Sequence, residues 1–232
     1  MVVGRIAAIA YSAGYSGSLI YALCSLSPEV AKYQPIDDMT FSDGTAHEYG
    51  EDWFNHLHSY RDSFDIKAER WSEYLTDSAR AALESGQLVL FRCHPNVAAA
   101  MNFIENLRVI YLAHGNKYIP QRWAYEKVIK QSSNEYYQDL LDKWLPGTQA
   151  TQLNRRLQRA LLIKQFNHQP MSFEELIDIL PIRPHSVRID RILDLDYQAY
   201  CAMCEYLEIS AIDRTQFCAI ITTYNSQQWK RF

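Results

Sequence analysis

Three short apolar runs constrain this chain more than any other feature. Residues 2–11 (VVGRIAAIAY), 87–93 (QLVLFRC) and 108–113 (RVIYLA) are mostly apolar and do not alternate. Each is too short for a free-standing helix and is bounded by turn-forming or polar residues, the pattern of a strand buried on both faces. Segments with helical period separate them, so the sequence predicts an α/β fold: three layers, α/β/α, around a central parallel sheet.

The helical segments follow from spacing. Leu19, Ile20, Leu23 and Leu26 recur at 3.6-residue period and Pro28 marks the stop. A second helix is predicted over 66–85, with Trp71, Leu75, Ala79, Ala82 and Leu83 on one side and Gly86 at its end. Residues 97–104 form a third, and the polar stretch 34–52 reads as loops. Beyond Pro120 the chain turns helix-rich, through 121–131, 134–144, 149–167 and 173–180. Residues 186–193 (SVRIDRIL) alternate like a strand, and helices over 197–207 and 213–230 close the chain. With 232 residues, no internal repeat and no linker, one domain spanning 1–232 is expected.

Composition narrows the function classes. A formal net charge of -4 with 22% charged residues gives no global basic signal, so nucleic acid is not an expected partner. No apolar stretch approaches the roughly 20 residues of a membrane helix, and the first residues do not read as a signal peptide. No membrane association and a cytoplasmic location are expected. Five cysteines without framework spacing fit reduced thiols.

The turn after the first run carries the chemistry. A strand, a glycine-rich turn and a helix bring unsatisfied backbone N–H groups and the positive end of the helix dipole to one point, which favours phosphate or sulfate. Gly14 and Gly17 allow left-handed backbone and close approach of a ligand, and Ser12, Ser16 and Ser18 offer hydroxyls. The plainer reading is a tight turn whose serines cap the helix. The stretch is neither a Walker A loop, since GxxxxGK[ST] is absent, nor a dinucleotide fingerprint, since the glycine spacing differs.

The stretch AGYSGSLIYALCSLSPEV, residues 13–30, resembles the 5'-phosphosulfate loop of sulfotransferases that use 3'-phosphoadenosine 5'-phosphosulfate (PAPS), written G-x-[KR]-S-G-[ST]-[ST]. Ser16, Gly17 and Ser18 match; Tyr15 stands where the family has Lys or Arg, and Leu19 replaces the last hydroxyl residue. LVLFRCHPN, residues 88–96, resembles the family's K-T-H-L-P strand end, whose His is the general base. The resemblance assigns that role to His94 and the Lys position to Arg92. LRVIYLAHGNKYIPQRW, residues 107–123, resembles the 3'-phosphate segment, with His114 at the Arg position and Lys117 and Arg122 available for the phosphate. Residues 186–209 resemble the strand and helix that close the family's fold.

The resemblance implies a P-loop NTPase-like sulfotransferase fold and transfer of a sulfuryl group from PAPS to a hydroxyl or amine on a small-molecule or glycan acceptor. His94 and Arg92 are the implied catalytic residues. Gly14, Tyr15, Ser16, Gly17, Ser18, His114, Lys117 and Arg122 are the implied PAPS-binding set. Two alternatives stay open: an inactive nucleotide- or anion-binding protein of the same fold, signalled by Tyr15, and a degenerate P-loop kinase-like phosphotransferase.

Other clusters are better explained by packing or solvation. Cys201 and Cys204 have CxxC spacing but share one helix face and lack a second pair for zinc. His56 and His58, near Glu51 and Asp52, sit on a polar segment, and no metal is expected. Arg155, Arg156, Arg159 and Lys164 form a basic helix face, solvated or bordering an acceptor cleft. Trp53, Phe54, Tyr60, Phe64 and Trp71 suit a core or an acceptor pocket.

Overall fold

A computed structural model describes residues 5–11, 17–32, 53–54, 71–113, 134–167 and 171–229. Its centre is an all-parallel sheet of β1 (Arg5–Ala10), β2 (Leu88–Cys93), β3 (Arg108–Ala113) and β4 (His185–Arg188), in the order β2-β1-β3-β4. The three apolar runs are therefore the three adjacent strands. All of β2 and all of β1 beyond Arg5 are buried, as continuous hydrophobicity requires of strands covered on both faces. An isolated parallel bridge from Val30 to Leu88 extends the pairing past β2.

The side-chain period of two divides the core. Ala7, Ile9, Leu88 and Leu90 face α1 (Gly17–Ser25), together with helices close to the C-terminus. Ala8, Ala10, Val89, Phe91 and Cys93 face the opposite layer. That second layer contains α2 (Trp71–Tyr74), α3 (Asp77–Glu84), α4 (Pro95–Ala100) and α7 (Phe173–Ile179). Helices thus cover both faces of the sheet. Every residue of α1 is buried, so this helix is held by packing rather than by an amphipathic stripe.

A separate small core joins α5 (Asn134–Trp144) to α6 (Arg155–Asn167), through Tyr137, Leu140, Leu141, Leu161 and Leu162. Two ammonium groups lie over the Trp144 ring, Lys143 at 4.8 Å and Lys164 at 4.7 Å from its centroid. The chain ends with α8 (Ile189–Leu193), α9 (Tyr197–Leu207) and α10 (Arg214–Trp229).

Several boundaries differ from expectation for local reasons. The helix expected over 66–85 is broken within the described residues: Leu75 bridges to Phe54, and Thr76 caps α3 by accepting from Ala79 N–H at 3.2 Å. The strand expected over 186–193 is strand only to Arg188. Ile189 begins α8, where Arg188 donates two hydrogen bonds to the Asp190 carboxylate. The helix expected over 97–104 runs instead from Pro95 to Ala100, with Pro at its first position. The segment 149–167 starts as a 3₁₀ turn, Ala150–Gln152, before α6. The helix expected over 121–131 and the loops over 34–52 lie outside the described residues.

The amino ends of the strands are anchored to α9. Arg5 donates to the carbonyls of Leu207 and Glu208, and Arg108 donates to the Tyr206 carbonyl and the Glu208 carboxylate. Glu208 ends α9 in the left-handed conformation at φ 55°. The two cations sit on the negative end of the helix dipole. Nearby, Ser210 donates to Glu29 at 2.6 Å, linking the end of α1 to the C-terminal layer. No described helix is long and apolar enough to cross a membrane.

Candidate functional site

The carboxyl ends of β1 and β2 and the first turn of α1 meet at one point. Tyr11 continues the ladder one residue past β1, its N–H donating to the Cys93 carbonyl at 3.0 Å. Its ring then lies against Gly17, the first residue of α1. A Cβ on Gly17 would come within 2.2 Å of Tyr11 Cε1. Among the described residues the glycines with positive φ are Gly86 and Gly147, so at Gly17 the lack of a side chain, which leaves room for the Tyr11 ring, is what the backbone uses.

Arg92 is the charged centre of the site. It occupies β2 opposite Ile9, and the strand's period turns it with Leu88 and Leu90 toward α1. It is 6% exposed, and its Nη1 donates to Ser18 Oγ at 2.5 Å. The guanidinium carbon lies 5.6 Å from the centroid of the Tyr21 ring. Ser18 and Tyr21, three apart, present one face of α1 to this arginine. Tyr21 went unnoticed in the sequence because a Tyr in an apolar helix looks like core; its spacing from Ser18 was the available signal.

His94 follows β2 directly. Its backbone stays extended, with φ -75° and ψ 154°, and it occupies the N-cap position of α4. Its carbonyl accepts from Val97 N–H at 3.0 Å and Ala98 N–H at 3.2 Å, and Pro95 fixes the first helical residue. Extended backbone between positions 92 and 94 keeps His94 on the side of the strand that Arg92 takes. His94 is half-buried at the strand end, with its ring Nδ1 shielded from solvent. The intervening Cys93 faces the other layer, where burial pushes its thiol far above the ordinary range and removes it as a nucleophile.

A helix amino terminus carries partial positive charge, and Arg92 places a full one beside the first turn of α1. Backbone N–H groups, the Ser18 hydroxyl and the Arg92 fork are the donors that phosphate and sulfate oxygens use, so the described residues fit such a group.

Of the expected site residues, the structure brings Arg92, Ser18 and Gly17 together, with His94 at the adjoining strand end. Gly14, Tyr15, Ser16, His114, Lys117 and Arg122 lie outside the described residues, although Ala113, preceding His114, closes β3 beside β1. Trp53 and Phe54 are core residues, 1% and 2% exposed, with Phe54 edge-on to Phe91 and tilted against Trp71. Cys204 is buried in the α9 core and Cys201 is half-buried beside it, as packing predicts. His56, His58, Glu51, Asp52, Tyr60 and Phe64 lie outside the described residues. No group of three or more metal-ligating side chains occurs among the described residues. A cavity of about 340 Å³ lined by Lys32, Ser78, Ser85 and Gln87 opens near the amino end of β2, at the opposite end of that strand from His94.

Comparison of the chain with protein-family models, with curated proteins and with solved structures finds no match.

Proposed function

We propose that the protein binds a nucleotide bearing a 5'-phosphosulfate and acts as a PAPS-dependent sulfotransferase with a P-loop-like fold. The observation that carries this reading is the buried Arg92 bonded to Ser18 at the positive end of α1. The topology supports it further. β2, β1 and β3 are neighbours, so the three segments that resemble the family's motifs leave the sheet from adjacent carboxyl ends, where open α/β sheets assemble ligand sites.

PAPS supplies the sulfuryl group and departs as 3'-phosphoadenosine 5'-phosphate. His94 takes the proton of the acceptor hydroxyl or amine while that oxygen or nitrogen bonds to sulfur and the bond from sulfur to the bridging phosphate oxygen breaks. Arg92, Ser18 and the N–H groups of α1 hold the 5'-phosphate side, where the departing negative charge collects. Ser16 and Gly17 belong to the same loop, and His114, Lys117 and Arg122 would take the 3'-phosphate. The acceptor is a small molecule or a glycan.

Tyr15 favours a second reading. A loop without its Lys or Arg holds the nucleotide but contributes less to transfer, which describes an inactive binding protein of the same fold.

Thermal unfolding with separate additions of 3'-phosphoadenosine 5'-phosphate, ATP with Mg²⁺, and sulfate distinguishes the readings, because a ligand of the native state raises the midpoint by mass action. A shift with the 3'-phosphorylated nucleotide, independent of metal, is expected. A shift with ATP and Mg²⁺ alone would assign the loop to a kinase-like phosphotransferase, and no shift with any of them would end the nucleotide reading. Transfer activity, measured with PAPS and a panel of acceptors, then separates enzyme from binding protein.

A further inference from the structure

We infer that the α5–α6 hairpin is a self-association surface that pairs with the same hairpin of a second copy. Its two helices differ in charge balance, acidic along α5 apart from Lys143, whose ammonium lies over Trp144, and basic along α6. Asp139 and Asp142 are exposed on α5, and Arg155 and Arg156 are exposed at the start of α6. Asp142 accepts a hydrogen bond from Gln138 at 2.8 Å, yet among the described residues none of these four charges is in an ion pair. The chain has therefore placed acidic and basic groups on neighbouring helices without joining them.

The same hairpin exposes apolar surface. Leu145, just past α5, is 47% exposed and Leu157, in α6, is 45% exposed; they are two of the four exposed large apolar side chains among the described residues. Among the described residues, the core of the hairpin is a cluster separate from the two that flank the sheet. Covering Leu145 and Leu157 would add buried apolar area to it.

A second copy is the occupant that answers both charges. A two-fold axis places the acidic helix of one copy against the basic helix of the other, and the reverse, so one surface complements itself. The leucines then form the apolar centre and the charges the rim. A polyanion would satisfy α6 but meet repulsion from Asp139 and Asp142.

Sedimentation velocity of the full chain over a concentration series, at low and high NaCl, tests the pairing. A dimer at low salt that weakens at high salt is expected, since exposed ion pairs are screened. Arg155→Glu/Arg156→Glu and Asp139→Lys/Asp142→Lys should each sediment as monomers with unchanged circular dichroism, and an equimolar mixture of the two should recover the dimer. Leu157→Ser, which alters no charge, should weaken the dimer at either salt concentration. A wild-type monomer at every concentration, or a dimer that survives both charge reversals, would overturn the inference. A monomer that binds heparin through Arg155 and Arg156 would do so in favour of an anionic partner.

Discussion

Arg92 on β2 donates its hydrogen bond to Ser18, 74 residues earlier in the first turn of α1. This contact joins β2 to the first turn of α1, and on the proposed reading it separates binding from stability. Arg92→Met keeps the aliphatic stem and removes a buried charge, so the melting temperature should hold or rise. The midpoint shift caused by 3'-phosphoadenosine 5'-phosphate should disappear. Calorimetry with and without the nucleotide checks both.

Ser18→Ala withdraws the acceptor while leaving the guanidinium buried. Stability should fall by about 1.5–3 kcal/mol, the usual worth of a hydrogen bond to a charged group. The Ser18→Ala/Arg92→Met double variant should recover most of it. Urea denaturation of the single and double variants measures the coupling.

Gly17→Ala sets helix propensity against packing. Alanine is favoured over glycine by about 1 kcal/mol inside a helix, but here its methyl would overlap the Tyr11 ring. Overpacking should win, destabilising by about 1–3 kcal/mol. Adding Tyr11→Leu should reverse the sign, which equilibrium denaturation of the pair would show.

His94→Ala should lower sulfuryl transfer by about 10²–10⁴-fold, the usual worth of a general base. Stabilisation by 3'-phosphoadenosine 5'-phosphate should be retained, because the proposed reading rests binding on Arg92 and α1. A variant that keeps the full rate would remove His94 from the base role.

Glu29 gives a pH signature distant from the site. Hydrogen bonds from Ser210 and Ser27 lower its carboxyl from 4.5 to about 2. A depressed folded pKa means that the carboxylate's contribution is fully present above the unfolded value and is lost as pH falls through that window. The stability gap between wild type and Glu29→Gln should therefore be greatest near neutrality and close as pH drops from about 4.5 to about 2. A gap unchanged over that range would show that Glu29 is not held by these bonds.

The central strands could be read from sequence because burial on both faces leaves a continuous apolar run, the signature of β1, β2 and β3. What failed depended on single side chains. Thr76 interrupts a good helical period because its hydroxyl caps a new helix, and Ile189 looks like the next strand residue until Asp190 draws Arg188 toward a helix start. Of the candidate site, the contact between Arg92 and Ser18 joins two segments that the motifs single out, while the packing of Tyr11 on Gly17 leaves no periodic trace in the sequence.

The arginines at the feet of β1 and β3 also bear on how the sheet opens. Arg5 and Arg108 tether those strands to the last carbonyls of α9, at the end of the sheet away from Arg92 and His94. Amide exchange should accordingly be slow at the tethered end, since opening there must also release α9. β1 and β3 are in this way fastened to the C-terminal layer as one cooperative unit.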